Sequence, residues 1–139
     1  MLIAVDFDGT IVEHRYPKIG KEIPFAFATL RKLQSEGHQL ILWSVREGRL
    51  LQEALDYCAA NGVEFYAVNS NYPDEDTDLD ALRTRKLRAD VFIDDRNIGG
   101  LPDWGIIYQM ITNHWSFREY MENVHNIPAK KSVWQKIFG

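Results

Sequence analysis

VDFDGT, residues 5–10, follows directly on the apolar residues Leu2, Ile3 and Ala4. Residues 2–7 read as a short buried strand that delivers Asp6 and Asp8 to a strand-to-loop exit, beside a glycine and a hydroxyl. Two carboxylates held near each other resist joint ionisation unless a cation compensates them. A divalent metal with oxygen ligands meets that need, and magnesium is the expected ion. Taken alone, the same letters also describe a polar turn after an edge strand, because Asp and Gly are common turn residues. The rest of the chain decides between the two.

Outward from this point, strand and helix signals alternate. Residues 24–36 read as a helix: Pro24 suits a first helical position, Phe27, Leu30 and Leu33 recur at helical spacing, and Gly37 is a candidate C-terminal cap. Residues 39–44 form a compact apolar second strand. Residues 49–61 place Leu51, Ala54, Leu55 and Cys58 on one helix face. Residues 64–68, 90–94 and 105–111 read as the third, fourth and fifth strands. A short helix is expected over 80–87 and a longer one over 115–124. The segment 69–78, polar and carrying Pro73, is a loop. In the tail, residues 126–139, Val133, Trp134, Ile137 and Phe138 recur at helix-like spacing. The alternation predicts an α/β fold with a mainly parallel five-stranded sheet and helices on both faces. Ligands of such sheets bind beyond the carboxyl ends of the strands. Polar residues fall there: Asp6 and Asp8 after the first strand, Ser44 after the second, Asp94 and Asp95 after the fourth.

The chain has 139 residues, which fits one domain over 1–139 with a core to about residue 125. Its 45% hydrophobic and 26% charged residues are ordinary for a globular protein. No apolar run reaches the roughly 18 residues that span a bilayer, so no membrane segment is expected. The N-terminus enters a strand at once, without the pattern of a secretory signal. The single Cys58 cannot form an internal disulfide, which agrees with a reducing cytoplasm and with a small buried hydrophobe. A net charge of −4 argues against general nucleic-acid binding. Basic residues do cluster at Arg83, Arg85, Lys86 and Arg88, as they would on a solvated helix face. No Gly-rich phosphate loop of the Walker or dinucleotide type is present.

Four features line up in chain order: VDFDGT; LILWSVREG, with Ser44 closing a buried strand; Lys86 in a basic helix; and VFIDDRN, with Asp94 and Asp95 ending a strand. Together they resemble the haloacid dehalogenase-like superfamily of phosphohydrolases, over about residues 2–111, and the DFDGT form resembles its phosphatase branch. The resemblance implies a Rossmann-like three-layer sandwich and a magnesium-dependent phosphomonoesterase. By that resemblance Asp6 is the nucleophile that forms an aspartyl-phosphate. Asp8 protonates the leaving oxygen, activates water and gives its carbonyl to the metal. Ser44 binds a phosphoryl oxygen, and Lys86 neutralises charge. Asp95 touches the metal directly, with Asp94 behind it. The chemistry needs these types, since an anionic nucleophile must be screened from an anionic ester.

Each of these residues also has a plainer reading. Ser44 alone would satisfy a strand end, and Lys86 has rivals in the neighbouring arginines. Arg46 reads equally as a contact to substrate phosphate or sugar and as a surface residue. His14, His38, His114 and His125 show no ligand spacing, and Trp43 and Trp104 read as core. No stretch is long enough for the folded cap domain of larger superfamily members. The site is therefore expected to be open to a bulky phosphorylated substrate, such as a nucleotide or a nucleic-acid terminal phosphate. Otherwise it is covered by the 10–23 loop, with His14, Arg15, Tyr16 and Lys18, or by a second subunit. The alternatives to a phosphatase are a phosphotransferase with the same intermediate, a receiver-like module and a non-catalytic phosphate-binding protein. Receivers carry their phosphoacceptor after the third strand, where Val68 and Asn69 offer none.

Overall fold

The computed structural model describes residues 1–73 and 87–129. Lys86, most of the expected 80–87 helix and the tail beyond residue 129 lie outside the described residues.

Four parallel strands form one sheet: β1 (Leu2–Val5), β2 (Gln39–Leu42), β3 (Ala67–Val68) and β4 (Val91–Ile93). Their order is β3-β2-β1-β4, so β1 is central. It pairs Leu2 with Gln39 and Val5 with Leu42 on one side. On the other side Ile3 pairs with Val91 and Val5 with Ile93. Ile3, Ala4 and Val5 are all fully buried, as a strand covered on both faces requires. One face gathers Ala4, Ile41, Ala67 and Leu87, with Leu2, Ala89 and Phe92 packed against them. Phe7 and Phe27 both meet the ring of Tyr57, at 6.4 and 5.6 Å between centroids. That aromatic trio joins the β1 exit to helices α1 (Ala26–Ser35) and α2 (Gly48–Ala60).

Helix α1 starts two residues later than its sequence pattern suggests. Phe25 sits in the left-handed region at φ 68°, so the helix cannot extend back to Pro24. The Glu22 carboxylate instead accepts the Phe27 N–H at 3.1 Å and covers one of the orphan donors. The helix stops at Gly37, whose φ of 91° lets the His38 N–H turn back to the Leu33 carbonyl.

The expected fifth strand over 105–111 is a helix, α3 (Trp104–Thr112), and the sheet has four strands among the described residues, not five. WGIIYQMIT is short and rich in isoleucine, and such a run is ambiguous between buried strand and helix. Trp104, Ile107 and Ile111 are the buried positions, a three-and-four spacing that fits a helix stripe. Pro102 and Asp103 just before it are the helix-start signal that the apolar run outweighs. The next helix, α4 (Phe117–Ala129), opens on a capping box. There the Ser116 N–H donates to Glu119 at 2.7 Å, and the Glu119 N–H donates to the Ser116 hydroxyl at 3.2 Å.

The chain divides into two compact units, Met1–Trp104 and Gly105–Gly139. The first holds the whole sheet, α1 and α2. No helix among the described residues is long and apolar enough to cross a membrane.

Leu42 ends β2 fully buried between β1 and β3. Leu42→Ala is expected to cost about 2–5 kcal/mol, read as a lower urea midpoint with little change in slope.

Candidate functional site

The chain leaves β1 still tied to its neighbour: the Asp6 N–H donates to the Ile93 carbonyl at 3.0 Å. Phe7 then turns into the core, fully buried. Its carbonyl accepts the N–H groups of Thr10 and Ile11, closing a tight turn. Gly9 stands in that turn at φ 84°. A Cβ there would lie 2.8 Å from the Asp95 Cγ, so only glycine lets Asp95 approach. The buried Thr10 hydroxyl donates to Asp95 Oδ1 at 3.2 Å and accepts the Asp95 N–H at 3.1 Å. The Thr10 carbonyl takes the Trp104 indole N–H at 3.0 Å. Gly9 and Thr10 thus form the seat of Asp95, a role their place in VDFDGT suggests once a distant partner is known.

Asp6, Asp94 and Asp95 meet there. One carboxylate oxygen from each lies within 4.8 Å of the others, and all three residues are half-buried. Three hard oxygen donors without nitrogen or sulfur suit magnesium, calcium or manganese rather than zinc or copper. The trio therefore fits the divalent cation that the sequence calls for, and it includes Asp94 on the same footing as Asp95.

A cleft of about 460 Å³ opens beside them. Asp6, Asp8, Ser44 and Asp94 are its more buried lining residues, and His14, Tyr16, Trp43, Val45 and Arg96 are exposed. Ser44 is placed by its backbone: its N–H donates to Asn69 Oδ1 at 2.8 Å. Asn69 takes up the left-handed region at φ 52° just past β3, with its own N–H on the Leu42 carbonyl. The Ser44 oxygen accepts the Arg46 N–H at 3.1 Å, which leaves its hydroxyl hydrogen to offer to a ligand.

Arg46 is not a substrate contact. It is fully buried. All five of its guanidinium N–H groups are used inside the protein. Nε and Nη2 donate to the two oxygens of Asp8 at 2.8 and 2.7 Å. The others reach the carbonyls of Pro17, Lys18 and Leu50. The guanidinium carbon lies over the rings of Phe7 and Tyr16, at 5.1 and 5.3 Å. Its bonds to Asp8 raise its pKa above the ordinary value, against the opposing effect of burial. Arg46 thus fixes the orientation of the Asp8 carboxylate.

A solved structure of a conserved protein from Bacteroides thetaiotaomicron is similar to this chain at 64% identity, over 86% of this chain and 95% of that one, with a TM-score of 0.78. The chain belongs to that protein's family. No protein-family model and no curated protein matches it.

In this family member, then, Asp6, Asp94 and Asp95 come together, Ser44 and Asp8 line the adjoining cleft, and Arg46 stands behind Asp8. His14 and Tyr16 of the 10–23 loop line the cleft, whereas Lys18 turns its carbonyl to Arg46 and Arg15 pairs with Glu13. Trp104 is core, but Trp43 is not: it is 39% exposed and lines the cleft. Arg96 and Asn69 have no signal in the sequence for their place here, since a lone loop arginine and a strand-end asparagine carry no pattern.

Burial pushes the Asp6 carboxyl up to about 7, and the charges of Asp94 and Asp95 add to the rise, while the Phe7 backbone N–H pulls the other way. An unfolded Asp titrates near 4 (about 3.9), so between there and about 7 the folded state holds the extra proton. The stability Asp6 contributes is full below that lower value and is lost as pH rises through the folded one. Thermal scans of metal-free protein should therefore show Tm falling from acid to neutral pH, with a shallower fall in Asp6→Asn. Millimolar magnesium should raise Tm more at pH 7.5 than at pH 5.5. Separately, Arg46→Met strands a buried carboxylate and should cost about 3–5 kcal/mol in urea titrations, partly recovered in the double variant Asp8→Asn/Arg46→Met.

Proposed function

We propose that this chain is a magnesium-dependent phosphomonoester hydrolase of the haloacid dehalogenase-like kind. The observation that carries the reading is the convergence of Asp6, Asp94 and Asp95 beside Ser44 at one end of a parallel sheet. Carboxylates that repel one another this closely fit a site for a cation, and a cation beside an aspartate and a serine hydroxyl fits phosphoryl transfer. The bound ion would be held by Asp6, Asp94 and Asp95, and would supply charge neutralisation for the ester and the nucleophile.

The chain's own groups divide the work. An Asp6 oxygen attacks phosphorus, the bond from phosphorus to the leaving oxygen breaks, and an aspartyl-phosphate forms. The Ser44 hydroxyl donates to a phosphoryl oxygen and fixes its orientation. By the resemblance Asp8 is the group that gives a proton to the departing oxygen. That role requires one of its oxygens to leave Arg46 and take up a proton first, since both accept from the guanidinium in this structure. Asp8 then takes a proton from the water that releases phosphate and frees Asp6. Arg46 cannot shift to the ester, because all its donors are engaged. Lys86 lies outside the described residues, and its charge-neutralising role rests on the resemblance.

Asp6→Asn keeps the shape of the side chain and removes the nucleophile. Phosphate release from a panel of phosphomonoesters should fall by at least about a thousandfold, while the fold survives by circular dichroism. Substantial retained activity rules the mechanism out. Adding alcohols as acceptors separates a hydrolase from a phosphotransferase, since the latter yields new esters in place of free phosphate.

A further inference from the structure

Trp43, Tyr16 and Val45 are large apolar side chains that stay 39%, 47% and 73% exposed, and all three line the cleft that holds Asp6 and Ser44. Large apolar groups are usually withdrawn from water, and three at one catalytic cleft are the pattern of a ligand subsite. The two rings are also fixed in place. The Tyr16 ring lies over Arg46, which is itself immobilised by its five hydrogen bonds. Trp43 packs against Phe92 with ring centroids 5.1 Å apart and an interplanar angle of 66°. The Trp43 backbone is pinned too, by its N–H on the Val5 carbonyl at 2.9 Å. Rings held this way lose little freedom when a ligand stacks on them.

Position and size agree. Trp43 lines the same cleft as Ser44, whose hydroxyl would hold the phosphoryl group. A cleft of about 460 Å³ has room for far more than one phosphate. The exposed lining carries one permanent cation among the described residues, Arg96. A flat neutral ring finds the rings of Trp43 and Tyr16 in the same lining.

We propose that this cleft takes an aromatic ring carried by the leaving group, stacked on Trp43 with Tyr16 beside it, so that the substrates are ring-bearing phosphomonoesters such as nucleoside monophosphates. The proposal rests on the phosphohydrolase reading for the reacting atoms and adds what the enzyme selects. Phosphotyrosine offers the same flat ring from another source, and sugar phosphates offer none.

The test compares kcat/KM of the full chain with magnesium for adenosine 5′-monophosphate, adenosine 3′-monophosphate, phosphotyrosine and ribose 5-phosphate. Stacking of one base is worth roughly tenfold or more, so the nucleotides should exceed ribose 5-phosphate by about that factor. Trp43→Ala should collapse this ratio towards one, mainly through KM, and Trp43→Phe should restore most of it. Thermal melts show whether either variant is folded, and the Phe variant keeps the test usable if the Ala variant is not. Higher turnover of phosphotyrosine than of either nucleotide reassigns the ring's source and overturns the nucleotide assignment. Equal turnover of ribose 5-phosphate, or a ratio unchanged in Trp43→Ala, overturns the ring subsite while leaving the hydrolase intact. Failure of the wild-type protein to release phosphate from any of the four removes the hydrolase reading, and the proposal with it.

Discussion

Five N–H groups on one buried guanidinium hold together the three pieces of chain around the cleft. Through Arg46 the β1 exit at Asp8, the loop at Pro17 and Lys18, and the first turn of α2 at Leu50 share one centre. Desolvating such a pair is expensive, and a well-packed apolar set in its place is often no less stable. What an apolar set cannot do is hold a carboxylate in one orientation at the edge of a solvent-filled cleft. The flanking Phe7 and Tyr16 rings complete the arrangement, so one core side chain and one cleft side chain are set by the same cation.

The second constraint is the common direction of the strands. Parallel strands end at the same edge, so loops far apart in sequence converge there. The β1–β4 register makes Val5 and Ile93 partners, and the next residues along each strand are Asp6 and Asp94. Nothing further is needed to bring those two carboxylates near each other. Asp95 is added by a different device, the missing side chain at Gly9 and the two-way bonding of Thr10.

Much of this was legible from the letters. Buried strands announce themselves by compact apolar runs, as over residues 2–7 and 39–44, although the strands themselves stop at Val5 and Leu42. Amphipathic spacing gave away α1 and α2, and polar residues at strand ends pointed to the site. The α3 segment misled because isoleucines favour strands, while only tertiary burial shows which of its residues share a face. Arg46 misled for another reason. SVREG reads as a surface loop, and its partner Asp8 is 38 residues away, a pairing no local pattern can reveal. Trp43 misled in the opposite sense, because aromatic residues beside a strand are usually core.

The placing of β1 bears on how the chain acquires its shape. Leu2 donates its N–H to the Asp90 carboxylate across 88 residues. The middle strand of the sheet is thus translated long before one of its two flanking partners. Until β4 arrives, a nascent chain carries β1 with one hydrogen-bonding edge open, a surface on which a second nascent chain can pair. Contacts of such long range slow the search for the native arrangement, because loop closure must precede the reward. The carboxylate cluster is assembled in that same late step, so the repulsion within it is absent from the earlier stages of folding.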